Sequence, residues 1–370
     1  MKINANQKLY FLTIALSIFG IIMIYSSSYI WAEFKYGNPY KYVISQSIFL
    51  IIGIVLMFIF SKINYKIYNK YANKFLFICF LLLILVLIPG IGSVRNGSRS
   101  WFGFLGFGFQ PSELTKIALI IFTSKYLSKN DKLKRNTFKF MMPILIIILL
   151  FFGLIMLEPD FGSGMVIVCS LIGIIFISGC DVSIFIKLGI VGIIGIVILI
   201  LLAPYRLSRI TSFLNPWSDP LGSGFQMIQS LYAIGPGGIL GFGFLGSRQK
   251  HFYLPEPQTD FIFSIITEEF GFLGAVILIT LFIILYFNII KLAIKTEDLF
   301  GKYLIFGLAF LLIFQTLLNL SVVVGLVPIT GVTLPFISYG GSSLLVSMAS
   351  IGIILNISKN NSWYTNKRLI

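Results

Sequence analysis

Residues 251–271 read HFYLPEPQTDFIFSIITEEFG and bring Glu256, Asp260, Glu268 and Glu269 together with two prolines and the only histidine of the chain. A carboxylate near a low-dielectric boundary holds its proton more tightly than in water and can serve as a general base towards a hydroxyl. Pro255 and Pro257 bracket Glu256 and fix an extended approach. Thr259 is a candidate N-cap, and Asp260 then falls in the first turn of the following helix. Capping would account for Asp260 but not for Glu256 beside Arg248, Lys250 and His251. Arg248 and Lys250 are candidates to hold a pyrophosphate leaving group. A single histidine without a partner motif reads as a structural or interfacial residue. Glu268 and Glu269 lie about two turns deeper, so at least one should face a bundle interior.

Three other groups carry charge into apolar surroundings, where ionisable residues are costly and often functional. Gln110 precedes Pro111, a residue suited to the first helical position, and Glu113 and Lys116 then share a face at i, i+3. They form either a structural salt bridge or the charged floor of an outward cavity. Glu158 and Asp160 end the fifth apolar run in EPDFGSG, as a helix-capping turn or as site carboxylates. Arg206 and Arg209 could clamp a phosphate through their fork geometry or pair with lipid headgroups.

The elements that must position these residues are membrane helices. The chain has 370 residues, of which 57% are hydrophobic and 11% charged. Its mean hydropathy is +0.96. Those values exclude an ordinary soluble domain. The period-2 tracts of a β-barrel are missing. We expect an all-α polytopic membrane protein with ten spans near 9–31, 43–60, 75–89, 112–127, 140–157, 164–178, 184–204, 262–290, 303–326 and 342–357. No linker interrupts them, so residues 1–370 read as one integral membrane domain. With both termini cytoplasmic, 19 of the 28 Lys/Arg fall inside and eight outside, with Lys116 within a span. The net charge of +15 therefore reports topology and anionic lipid rather than nucleic acid. Nine of the 13 acidic residues lie outside or at the outer boundary, which puts the chemistry on the outer face. Cys79, Cys169 and Cys180 follow no metal or redox spacing and read as small apolar residues. The outer segment from Tyr205 to Asp260, about 55 residues, is too long for a plain connector. Its stretch LGSGFQMIQSLYAIGPGGILGFGF suits a re-entrant or surface-lying amphipathic element.

The ordered motifs GSRSW, QPSE, EPDFGS, QSLYAIGPGGILGFG, SRQKHFYLPEPQTDFIF, EEFG and TGVTLPFISYGGSS resemble the SEDS family (shape, elongation, division and sporulation) over nearly the whole chain. SRQKHFY is closer to the FtsW/SpoVE branch than to RodA. The resemblance implies ten helices, a large outer loop between helices 7 and 8, and a peptidoglycan glycosyltransferase that polymerises lipid II outside the bacterial cytoplasmic membrane. It implies Asp260 as the base, with Trp101, Glu113 and Lys116 lining or supporting the cavity. It also implies a class B penicillin-binding protein as partner, alongside other divisome or elongasome membrane proteins. Mg²⁺ or Mn²⁺ at the pyrophosphate is chemically reasonable, although no ligand cage is evident. A lipid II flippase would instead place its polar site near the midplane, often on broken helices in symmetric halves. A scaffold that only recruits the cross-linking partner would leave Asp260 dispensable.

Overall fold

The computed structural model describes residues 5–95, 97–104, 107–130, 137–201 and 211–360. Among these residues, ten long helices stand at the ten expected spans: α1 (Ala5–Tyr36), α2 (Lys41–Phe60), α3 (Lys66–Leu87), α4 (Pro111–Lys129), α5 (Thr137–Leu157), α6 (Phe161–Ile177), α7 (Val182–Leu201), α9 (Ile262–Ile294), α10 (Leu299–Val323) and α11 (Gly341–Lys359). A short helix, α8 (Phe225–Ile234), lies in the long outer segment. Seven of the helices, α1, α2, α3, α5, α9, α10 and α11, are long and apolar enough to cross a bilayer. Several outrun the apolar windows that announced them. α3 begins at Lys66 because a helix continues through the interface while its lysines reach outward along their alkyl stems.

α10 and α11 are the most enclosed of the apolar helices. α11 packs on α2, where a Cβ at Gly352 would lie 2.6 Å from the Met57 carbonyl oxygen, so only a small residue permits this approach. α4 packs between α3 and α10. The connection from α3 to α4 adds a feature to the all-helical expectation. It is a three-stranded antiparallel sheet of β1 (Ser93–Arg95), β2 (Ser98–Phe104) and β3 (Phe107–Phe109). Trp101 stands opposite Ser93 and Phe102 opposite Phe109.

The long outer segment divides its apolar residues between two roles. α8 turns Met227, Ile228, Ser230 and Ala233 inward, and the Ser230 hydroxyl lies 2.8 Å from that of Ser264 on α9. The glycine-rich stretch after α8 docks on a break in α9. Gly271 has φ 64° and ψ −163°, which interrupts that helix. A Cβ at Gly271 would sit 2.4 Å from the Ile239 carbonyl oxygen. The backbone groups freed by the break are satisfied by the loop. Phe242 and Gly243 donate to the carbonyls of Glu268 and Glu269 (3.0 and 2.9 Å), while Phe272 and Leu273 donate to those of Gly238 and Ile239 (2.8 and 3.1 Å). Irregular backbone at this depth is tolerated because protein covers it.

Candidate active site

α9 starts at Ile262 with Phe261 as its N-cap, so Asp260 lies in the preceding turn rather than in the first helical turn. Thr259 does not cap the helix, because residues 256–259 close a turn of their own. The Thr259 amide (3.1 Å) and hydroxyl (2.7 Å) both approach the Glu256 carbonyl, and the hydroxyl lies 2.8 Å from Asp260 Oδ1. Glu256 stands between its prolines at φ 45°, a left-handed conformation that persists only where surroundings enforce it. The turn that follows is held by α10 and the loop after it. Asn319 Nδ2 donates to the carbonyls of Asp260 (2.7 Å) and Val332 (2.8 Å), and the Tyr339 amide donates to the Gln258 carbonyl (2.8 Å). Asp260 itself is half-buried. Near this turn, a cavity of about 510 Å³ is lined by Ser212, Phe213, Phe225, Gln226, Pro255 and Ile329.

Polar contacts continue from this turn to α4. Gln315, one turn before Asn319, donates through Nε2 to the Thr333 carbonyl (3.1 Å) and to Ser343 Oγ (3.0 Å). Next to it, Ser342 Oγ accepts from the Gln110 amide (3.2 Å), and Gln110 Nε2 donates to Asp160 Oδ2 (2.8 Å). Asn319 and Gln315 were not singled out from the sequence. Their available signal is two amides at i, i+4 in an apolar helix, where a buried amide must find partners. Pro111 does open α4 and Gln110 is its N-cap residue, but the Gln110 side chain serves Asp160 instead of capping. Asp160 caps α6 by accepting from the Ser163 amide (3.1 Å). Trp101 is half-buried on β2, and its carbonyl accepts from Ser93 Oγ (2.9 Å).

Glu113 and Lys116 form a buried ion pair with Nζ 2.7 Å from Oε1, and among the described residues Glu113 Oε2 has no hydrogen-bond partner. Glu158 is completely buried, and among the described residues neither of its carboxyl oxygens has a hydrogen-bond partner. Burial pushes its carboxyl up to about 9, with the nearby Asp160 adding to the rise. Glu158 is therefore a neutral acid at neutral pH.

Glu268 and Glu269 are both buried and both hold the loop that returns to α9. Glu268 accepts from Ser247 Oγ (2.5 Å) and from the Arg248 amide (2.8 Å). Glu269 accepts from Ser26 Oγ (2.6 Å) on α1 and from Lys250 Nζ (2.9 Å). This corrects the expectation of a pyrophosphate ligand at Lys250, whose side chain is wholly buried in its ion pair. Arg248 remains exposed, with its guanidinium 4.7 Å from the centre of the Phe242 ring. His251 is exposed. Arg206 and Arg209 lie outside the described residues. Among the described residues no three His, Cys, Asp or Glu side chains gather as a metal site.

A helical bundle with apolar spans of bilayer length and a long loop folded into its helices defines the class: a polytopic membrane protein. Residues 7–363 match the FtsW/RodA/SpoVE family, described as "Cell cycle protein", and the chain belongs to that family. It is 46% identical over 358 residues to Stage V sporulation protein E of Bacillus subtilis (strain 168), covering 97% of this chain and 98% of the relative. It is 40% identical over 348 residues to the "Probable peptidoglycan glycosyltransferase FtsW" of Geobacter sp. (strain M18), covering 94% and 95%. A chain solved under the description "Structural coordination of polymerization and crosslinking by a peptidoglycan synthase complex" superposes with TM-score 0.77 at 31% identity, over 95% of this chain and 97% of that one. The crystal structure of Thermus thermophilus rod shape determining protein RodA superposes with TM-score 0.71 at 27% identity, over 96% of each chain.

Two tests follow from the buried carboxyls. The folded chain keeps on Glu158 a proton that the unfolded chain releases near pH 4.5, so stability should fall as pH rises from about 4.5 to about 9. Glu158→Gln removes that titration, and its melting temperature should decline less than that of wild type across this interval. Equal slopes would mean that the carboxyl titrates normally. Lys116→Met should destabilise by about 3–5 kcal/mol by stranding the Glu113 charge, and adding Glu113→Gln should recover most of it. Thermal melts of purified protein read both, and a double variant no better than the single would assign the pair a role beyond mutual neutralisation.

Proposed function

We propose that this chain is a peptidoglycan glycosyltransferase of the bacterial cytoplasmic membrane, polymerising lipid II on the outer face with Asp260 as general base. The supporting observation is the pinned turn that presents Asp260 at the helix ends. Glu113 and Glu269 are buried in ion pairs, Glu268 is buried against Ser247 Oγ and the Arg248 amide, and Asp160 caps a helix. Asp260 stands half-buried on a turn whose backbone is pinned by Asn319. The 4-hydroxyl of the lipid II GlcNAc gives its proton to Asp260 as its oxygen attacks the anomeric MurNAc carbon of the growing strand. The bond from that carbon to undecaprenyl pyrophosphate breaks, and the pyrophosphate leaves with the electron pair. One displacement converts an α-linked donor into a β-1,4 bond, so a single base suffices, without the nucleophile at ~5 Å that a retaining enzyme needs.

Arg248 is the phosphate candidate among the described residues, since its guanidinium is exposed and held against an aromatic ring. The relative solved in a peptidoglycan synthase complex supports a cross-linking partner, which we assign to a class B penicillin-binding protein. The identities to SpoVE and FtsW support a division or sporulation role. No step is routed through a metal.

Polymerisation of labelled lipid II by the purified chain with its partner tests the assignment. Asp260→Ala should reduce strand synthesis by at least about 100-fold, the scale of general-base catalysis. Normal synthesis by that variant would remove Asp260 as the base, and equal glycan from the partner alone would remove the enzyme reading. Asn319→Ala tests positioning. It should lower the turnover rate about tenfold at saturating lipid II with little change in KM, because it loosens the base rather than a substrate contact. A rise in KM alone would assign Asn319 to binding.

A further inference from the structure

At the opposite end of α4 from Glu113, about 24 Å away by helical rise, lies a cavity of about 390 Å³. Three helix ends build it. The first turns of α3 supply Lys66, Asn69 and Lys70 on one face, and the last turns of α4 supply Lys125 and Lys129 at i, i+4. The start of α10 supplies Asp298 and Phe300. Lys125 Nζ lies 3.0 Å from Asn73 Oδ1, which ties the end of α4 to α3 and holds the lysines in one group. Among the described residues the lining sets four ammonium groups against one carboxylate, and Asp298 Oδ2 is already engaged with the Gly301 amide (2.8 Å) as the cap of α10. The amino ends of α3 and α10 add the positive poles of two helix dipoles. Beside the lysines on α3, Ile67 and Tyr71 are exposed apolar side chains of the kind that meet lipid.

We propose that this cavity binds the phosphate of an anionic phospholipid headgroup, phosphatidylglycerol or cardiolipin, in the inner leaflet. A phosphodiester supplies the counter-charge that the lining lacks, and its oxygens can accept from several ammonium groups at once. The charge distribution of the chain puts this end on the cytoplasmic side, where anionic lipid is available. Acyl chains leaving the headgroup would run along Ile67 and Tyr71. A free phosphate shares the headgroup chemistry but gains nothing from those side chains.

Native mass spectrometry and thermal melts of the purified full-length chain, titrated with cardiolipin or with zwitterionic phosphatidylcholine, test the site. Lys70→Gln/Lys125→Gln/Lys129→Gln should weaken cardiolipin binding roughly 10- to 100-fold, from about tenfold or less per lysine near an anionic headgroup. The control Lys62→Gln/Lys359→Gln, which removes charge from the same face outside the cavity, should stay within about twofold of wild type. Lys70→Gln alone, at an exposed position, keeps the test valid if the triple variant does not fold, and should weaken binding severalfold. Equal losses in control and cavity variants would mean diffuse attraction and overturn the proposal. Saturation by inorganic phosphate at concentrations that displace cardiolipin would also overturn it, in favour of a free anion site.

Discussion

A carboxylate enclosed in a membrane bundle must keep a proton or find a partner, and the candidate site depends on how this chain meets that requirement. Glu268 and Glu269 end the first segment of α9, immediately before the break at Gly271. Their oxygens collect Ser26 from α1 and Ser247, the Arg248 amide and Lys250 from the long outer segment. Their own backbone carbonyls accept the Phe242 and Gly243 amides of the same segment. A loop that could have swung freely is thereby fastened to α1 and α9 by charge-assisted hydrogen bonds in low dielectric, where such bonds are strong and their loss is costly. The next residues along the chain form the turn that carries Asp260. Its position therefore rests on two glutamates that need make no contact with substrate.

The second fastening comes from the loop between α10 and α11. Asn319 bridges that loop to Asp260 through two carbonyls, and the Tyr339 amide reaches Gln258. The far side of the same loop runs into Ser342 and Ser343, which contact Gln110 and Gln315. Motifs that are distant in the chain, QPSE, PEPQTDF and TGVTLPFISYGGSS, thus form one hydrogen-bonded layer across the ends of α4, α9, α10 and α11. Helix ends are where such a layer can form, since their backbone groups need outside partners.

The ten helices were legible because apolar windows of bilayer length have few alternative structures. The sites of charge were legible because ionisable residues stand out in such windows. Their duties were less so. Lys250 sits one residue from His251 in an outer loop and reads as an exposed cation, yet the loop folds back beneath α9 and buries it. Nothing local marks that return, which depends on partners 19 residues on for Glu269 and 224 residues back for Ser26. The break at Gly271 was equally silent, since EEFGFLG continues an apolar helix and glycine is common in such helices. A broken helix was also the feature expected of a transporter. Here the loop satisfies the backbone at the break, so the discontinuity serves to anchor the loop.

Charge is handled differently at the two ends of the bundle, and the difference bears on function. At the end with Asp260, buried carboxyls are satisfied inside the protein by ion pairs, hydrogen bonds or a retained proton, and Asp260 is half-buried on a fixed turn. At the other end, lysines cluster around α3 and α4 with Asp298 as the single acidic lining residue. Self-contained neutralisation suits a reactive end, where a stray charge would shift the proton affinity of a base. Unneutralised lysine suits an end that meets anionic lipid, because the membrane then supplies the missing charge and fixes the depth of the bundle. That depth matters to the proposed role of Asp260 as a base towards a polyprenyl-linked substrate. The sugar of such a substrate lies at a height set by its own tail in the bilayer, so the base can reach it only if the protein is held at a matching level.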